Sequence, residues 1–207
     1  MILETVCVGQ MQVNCYILAA RDNSGAVIID PGDDARKIKR ILEKHKLNPA
    51  FIINTHGHYD HIGADDEFGV PVYVHAKDSP LLKNPELNLS SFFLSAYSVK
   101  ERIIELEDKK TVEFGELQLE VIHTPGHTPG GICLLMKKPE NKILFTGDTL
   151  FYRGIGRADF RGADEASLIK SIKERLLTLA DDTVIYPGHG PSSTIGDERR
   201  KNPFLNE

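Results

Sequence analysis

Four stretches of this 207-residue sequence run apolar and then present a residue able to bind a metal. Phe51-Ile-Ile-Asn-Thr55 leads into His56-Gly-His58-Tyr-Asp60-His61, and Leu119-Glu-Val-Ile122 into His123-Thr-Pro-Gly-His127. Ile143-Leu-Phe-Thr-Gly147 delivers Asp148, and Val184-Ile-Tyr-Pro-Gly188 delivers His189. Imidazole and carboxylate donors without thiolate suit zinc, iron or manganese rather than a cysteine-based structural zinc site. His56 and His58 stand two apart, on one side of an extended segment, whereas helical zinc proteases need histidines four apart around a glutamate. His56, His58, Asp60, His61, His127, Asp148 and His189 are seven candidate donors, more than one tetrahedral shell holds. Two divalent ions sharing Asp148 would use all seven. They would leave room for a bridging water acidified towards neutrality, a nucleophile that needs neither serine nor cysteine.

The elements carrying these residues read from periodicity. Leu3 to Val8, Asn14 to Ala19 and Ala26 to Asp30 are apolar or β-branched runs broken by turn residues, hence strands. From Asp33 to Lys46 the apolar positions Ile38, Ile41 and Leu42 fall at helical steps among charges. Ala50 to Asn54 and Val70 to His75 return to strand, and 77–100, with Pro80, Pro85 and the Phe92-Phe93-Leu94 cluster, reads as irregular or short-helical. Strands are predicted again at Thr111 to Phe114, Leu117 to Ile122, Gly131 to Lys137, Ile143 to Thr146 and Thr183 to Tyr186, with a hairpin turn at 139–142. A helix is predicted over 164–179, with Leu168, Ile169, Ile172, Leu176 and Leu177 on one face behind Asp164. Strand-rich halves, each followed by an amphipathic helix, suggest two sheets with helices outside.

Lys plus Arg number 25 against 30 Asp plus Glu, which disfavours nucleic acid as a partner. No run reaches the roughly 18 apolar residues of a spanning helix, and Met1-Ile-Leu-Glu-Thr-Val-Cys7 lacks an export signal. Neither a membrane partner nor β-lactam hydrolysis outside the cytoplasm is expected. Cys7, Cys15 and Cys133 form an odd set without C-x-x-C spacing, which fits a reducing cytoplasm. A chain this long supports one substantial core, read as a single domain over 1–207.

The pattern His56-x-His58-x-Asp60-His61 followed by His127, Asp148 and His189 resembles the metallo-β-lactamase fold superfamily across nearly the whole chain. The resemblance implies an α+β fold, a four-layer αββα sandwich with metals at one edge. It assigns His56, His58, His127 and Asp148 to one ion and Asp60, His61, Asp148 and His189 to the other. Asp30 matches the family's acid behind the ligands, which orients one of them rather than binding metal. Thr124-Pro-Gly-His-Thr-Pro-Gly-Gly131, Phe145-Thr-Gly-Asp-Thr-Leu-Phe151 and Tyr186-Pro-Gly-His-Gly190 resemble the single-domain glyoxalase II branch, the hydroxyacylglutathione hydrolases. Those split an acyl thioester, implying an S-lactoylglutathione-like small-molecule substrate, with two divalent ions, zinc ahead of iron or manganese. The short stretch after His189 leaves no room for the helical domain that carries much of the glutathione site in the long enzymes. A monomer or homodimer would suffice.

The implied mechanism is attack of a hydroxide on the thioester carbonyl, with Asp60 orienting the hydroxide. Tyr152-Arg-Gly-Ile-Gly-Arg-Ala-Asp-Phe160 is similar to a loop of persulfide dioxygenases. That alternative would place a single iron on His56, His127 and Asp148. A non-catalytic sensor is a third reading, countered by the complete donor set. Tyr152, Arg153 and Arg157 are candidates for contacts to a substrate carboxylate or thiolate, although Arg157 could equally pair with Asp159 or Asp164. His75 and His123 read as hydrogen-bonded strand-end residues, His45 as a solvated helix residue, and Cys15 and Cys133 as core.

Overall fold

Apolar alternation and turn punctuation become two six-stranded sheets in the computed structural model, which describes residues 1–93, 96–139 and 142–205. Contacts group the chain into two units, Met1–Leu106 and Glu107–Glu207.

The first unit holds β1 (Ile2–Val8), β2 (Val13–Ala19), β3 (Gly25–Ile29), β4 (Asn48–Ile53), β5 (Val72–His75) and β6 (Ile103–Leu106), hydrogen-bonded in that order. The first three are antiparallel and the last four run parallel. The β3-to-β4 crossover is α1 (Ala35–Lys44), whose Ile38 and Leu42, one turn apart, are buried. They join Ile17, Ile28, Ile52 and Val72 in the core of this unit. Two short helices follow, α2 (Tyr59–Ile62) and α3 (Ser79–Lys83), with 3-10 turns at Asp65–Glu67 and Ser90–Phe93. The segment over 77–100 is thus short-helical among the described residues, and Leu94 of its apolar cluster lies outside them. Because β3 and β4 are parallel and Ile29 pairs with Ile53, the residues just beyond each strand, Asp30 and Asn54-Thr55-His56, emerge side by side.

In the second unit are β7 (Thr111–Phe114), β8 (Leu117–His123), β9 (Ile132–Lys138), β10 (Ile143–Gly147), the small ribbon β11 (Leu150–Phe151) with β12 (Gly154–Ile155), α4 (Glu165–Ser171), β13 (Val184–Pro187), β14 (Ser193–Thr194) and α5 (Ile195–Lys201). The sheet order is β14-β13-β10-β9-β8-β7. β10 and β13 are parallel, and β8 runs antiparallel to β9, which runs antiparallel to β10. The C-terminal ends of β8, β10 and β13 therefore share one edge, the edge where His127, Asp148 and His189 begin. The turn expected at 139–142 includes Glu140 and Asn141, which lie outside the described residues.

The helix predicted over 164–179 starts as expected, with the Asp164 carboxylate accepting the Ser167 amide at 3.0 Å. It changes pitch at Ile172–Leu176, a π-helical turn closed by Leu177 N–H to the Ile172 carbonyl. Leu168, Ile172 and Leu176 still reach the core of this unit. His45 is no solvated helix residue: it caps α1, with Nε2 2.7 Å from Glu4 and Nδ1 2.8 Å from Asp22.

Candidate metal centre

In the first unit the chain after β4 turns at Thr55 and enters α2, which gathers His56, His58, Asp60 and His61. The rings of His56 and His58 meet edge to face at 4.8 Å, and those of His56 and His61 lie 4.1 Å apart. His61 Nε2 stands 3.8 Å from Asp60 Oδ2. Asp30, buried and at φ 52°, sets this arrangement. One of its oxygens accepts the Thr55 amide at 2.7 Å; the other accepts the Thr55 hydroxyl at 2.7 Å and faces His61 Nδ1 at 3.0 Å. A carboxylate can only accept there, so Nδ1 carries the proton and Nε2 keeps its lone pair, the tautomer a metal requires.

Two residues supporting this loop carried no chemical signal in the sequence. The buried carboxylate of Asp78 accepts the Gly57 amide at 3.0 Å and so fixes the backbone between the two histidines. Gly32 lies directly beneath α2, where a Cβ would fall 1.5 Å from the Asp60 carbonyl oxygen.

The second unit gathers His127, Asp148 and His189. Asp148 Oδ2 lies 3.7 Å from His127 Nε2 and 3.6 Å from His189 Nε2. Both distances exceed a hydrogen bond. They approach the roughly 3.4 Å edge of a tetrahedron whose donors sit about 2.0–2.1 Å from a common ion, so a divalent cation fits these donors. A single carboxylate oxygen is thus placed between two imidazoles. His127 Nδ1 points at the Arg157 carbonyl oxygen, 2.7 Å away, which again leaves the lone pair on Nε2. Sequence reasoning missed this role of Arg157 because a main-chain acceptor has no residue type. Gly156 is required beside it, since a Cβ there would fall 1.8 Å from the Asp148 carbonyl oxygen.

The residues offered for substrate contacts separate. The Arg153 guanidinium donates to the buried carboxylate of Glu198 at 2.8 Å and to the Asp197 carbonyl at 3.1 Å, while also stacking on Tyr152. The cation that the sequence offered to a substrate is therefore engaged by α5. Arg157 forks Asp159 at 2.9 and 2.8 Å and lies over the Phe160 ring. That exposed pair follows the structural reading weighed in the sequence, and Tyr152 is half exposed. His123 faces the Pro129 carbonyl and His75 is buried beside the Lys77 amide. Cys15 and Cys133 are fully buried. Desolvation lifts the Cys15 thiol, helped by the carboxylates of Asp30 and Asp65, and lifts Cys133 to about 11, so neither supplies a thiolate.

The sequence model of the metallo-β-lactamase superfamily matches residues 8–189. The chain belongs to the metallo-β-lactamase superfamily. Among its relatives is the hydroxyacylglutathione hydrolase GloC of Haemophilus influenzae, 39% identical, with 99% of this chain and 98% of GloC aligned. The crystal structure of BLEG-1 B3 metallo-β-lactamase is 39% identical and superposes with a TM-score of 0.92 over 100% of both chains. That of TTHA1623 in a di-iron-bound form is 36% identical, TM-score 0.83, covering 98% of this chain and 100% of the other. The fold is thus the α+β metallo-β-lactamase fold, and the expected likeness to glyoxalase II-like hydrolases is met by GloC. Fold and His/Asp clusters together support divalent-metal binding. No helix among the described residues is long and apolar enough to cross a membrane.

Proposed function

We propose that residues 1–207 act as one metallo-β-lactamase-type domain that binds two divalent ions, zinc first among them, and hydrolyses an acyl thioester. The observation that carries this reading is Asp148 Oδ2, held 3.7 and 3.6 Å from two imidazole nitrogens that belong, by the family pattern, to different ions. His56, His58 and His127 would share one ion with Asp148, and Asp60, His61 and His189 the other. When bound, the ions supply Lewis acidity, bringing a water into the neutral pKa range and stabilising a developing oxyanion.

The protein's own part is positional. Asp30 and the Arg157 carbonyl hold the protons on His61 Nδ1 and His127 Nδ1, so both rings present a lone pair. Asp60, at the rim of its cluster, would accept a hydrogen bond from the attacking water and orient it toward the carbonyl. The departing thiolate needs little acid assistance, in keeping with the absence of a general acid from the donor set. Tyr152 and Arg157 are proposed to approach the substrate, and Arg153 to hold the loop that carries them. A cytoplasmic location and small-molecule substrate belong to the same reading.

The sequence loop Tyr152 to Phe160 keeps the single-iron dioxygenase in view, with His56, His127 and Asp148 as its triad. The test assays protein loaded with zinc and, separately, with iron on a thioester panel, nitrocefin and glutathione persulfide, with oxygen uptake followed in parallel. Stoichiometric thiol and acid release without oxygen uptake is expected. Oxygen consumption with persulfide and no thioester cleavage would replace hydrolysis by the dioxygenase reading. Hydrolysis of nitrocefin alone would replace it by the chemistry named for BLEG-1, and silence on every substrate by the sensor.

A further inference from the structure

Beside Asp60 the first unit carries a cavity of about 250 Å³ that the proposed chemistry does not account for. Its floor and walls are Val8, Val13, Tyr59 and Phe93, and Met11 stands at its mouth. Met11 is 50% exposed and Phe93 52%, with Phe92 beside it at 78%. Large apolar side chains left in water around one concavity mark a binding surface rather than a packing remnant. The walls are preformed. The 9–12 turn joins β1 to β2 where Val8 pairs with Val13; its Gly9 amide is held by the Asp34 carboxylate at 3.1 Å, and the Gln12 amide by the Gly9 carbonyl at 3.3 Å. Tyr59 is braced by Phe93 at 6.0 Å and Tyr97 at 5.6 Å between ring centres.

Charge narrows the occupant. Besides the amide of Gln10 and the phenol of Tyr59, the polar side chains lining the cavity are the carboxylates of Asp33 and Asp60, and no Lys, Arg or His lines it among the described residues. A ligand group bearing carboxylates, as a glutathione-like thiol half does, meets the like charge of Asp33 there, Asp60 being assigned to an ion, with no Lys or Arg on the cavity lining to offset it. An uncharged apolar group meets Met11, Val13 and Phe93. Size agrees with this: a cavity near 150 Å³ accepts benzene, so this one takes about ten heavy atoms. A lactoyl group, small and hydroxylated, would leave most of it unfilled.

We infer that this cavity seats the acyl half of the substrate and selects uncharged, medium-length aliphatic or aromatic acyl groups over short hydroxylated or anionic ones. The inference rests on the thioesterase reading above and names the substrate class of that site. Removing several methylenes from water inside the cavity translates to at least about a tenfold gain in kcat/KM.

The test holds the thiol constant and neutral. Acetyl, lactoyl, hexanoyl, phenylacetyl and succinyl thioesters of N-acetylcysteamine are compared on the zinc-loaded protein. Hexanoyl and phenylacetyl are expected at least about tenfold above lactoyl, with succinyl lowest. Met11→Ser should lower the hexanoyl-to-acetyl ratio several-fold, and Asp33→Asn should raise succinyl relative to hexanoyl. A flat series, a preference for lactoyl or succinyl, or ratios untouched in both variants would overturn the inference. A second readout needs no turnover. The sequence has 3 methionines, so methyl-labelled methionine gives three resolvable signals, and hexanamide should shift that of exposed Met11 saturably but not that of buried Met136. A Met11 shift without cleavage of any thioester keeps the apolar ligand class and overturns the thioesterase reading. Cleavage with a flat series and a silent Met11 does the reverse.

Discussion

Replacing Asp30 by asparagine changes one atom and should cost the protein much of its hold on the ion assigned to His61. In the structure one Asp30 oxygen accepts the Thr55 amide at 2.7 Å, and the other serves the Thr55 hydroxyl at 2.7 Å and His61 Nδ1 at 3.0 Å. An asparagine has two ways to sit. With its oxygen toward the Thr55 amide, its NH2 faces His61, which must accept through Nδ1 and carry its proton on Nε2, where a metal would bind. With the amide reversed, NH2 meets the buried Thr55 N–H and leaves it unsatisfied. The first arrangement wins, and the lost interaction is a charge-assisted hydrogen bond of about 1.5–3 kcal/mol. At 1.4 kcal/mol per decade this is about 10- to 100-fold in affinity, the range typical of residues behind metal ligands. Competition of zinc between Asp30→Asn and a chromophoric chelator should show one of two binding steps weakened by that factor, with circular dichroism unchanged. Affinities within about twofold of wild type at both steps would refute the tautomer argument.

Three further outcomes follow from other contacts. Arg153→Ala strands the fully buried Glu198, which then keeps only neutral donors; a loss of about 3 kcal/mol is expected, a fall of about 6–12 °C in melting temperature. A KM effect without destabilisation would return Arg153 to the substrate. Glu4 and Asp22 raise the His45 pKa above its ordinary value by hydrogen bonding. Their stabilisation is therefore complete below the unfolded pKa near 6.5 and is lost as pH rises through the raised folded one; Glu4→Gln should flatten that decline in melts taken between pH 5 and 9. Burial holds the Asp65 carboxyl well above the usual carboxylate range despite its 2.6 Å bond from Asn54. The native state thus retains a proton that the unfolded chain releases, and stability declines as pH rises above about 4. Asp65→Asn should gain on wild type as pH rises above about 4, and the opposite trend would show the group ionised.

The candidate metal donors were legible because each group of them follows the end of an apolar strand, and strand endings are local signals. The parallel register of β3 with β4 and of β10 with β13 turns those local endings into neighbours within each unit. What was not legible depends on partners distant in sequence. His45 reads as a solvated helix residue until Glu4 and Asp22, 41 and 23 positions away, arrive beside it. Arg153 advertises a free cation, whereas its anchor Glu198 lies 45 positions away in α5. β6 has only four residues and takes its strand form from pairing with β5. The support from the Arg157 carbonyl and the close approaches at Gly32 and Gly156 are matters of backbone proximity, which no residue type announces.

The central claim is a two-ion centre with Asp148 shared between the ions. Elemental analysis of protein expressed with both zinc and iron supplied, compared with Asp148→Asn and with His189→Ala, tests it most directly. The account predicts about two ions per wild-type chain, loss of occupancy at both sites in Asp148→Asn, and loss of one ion in His189→Ala. One iron per wild-type chain, undiminished by His189→Ala, would contradict it.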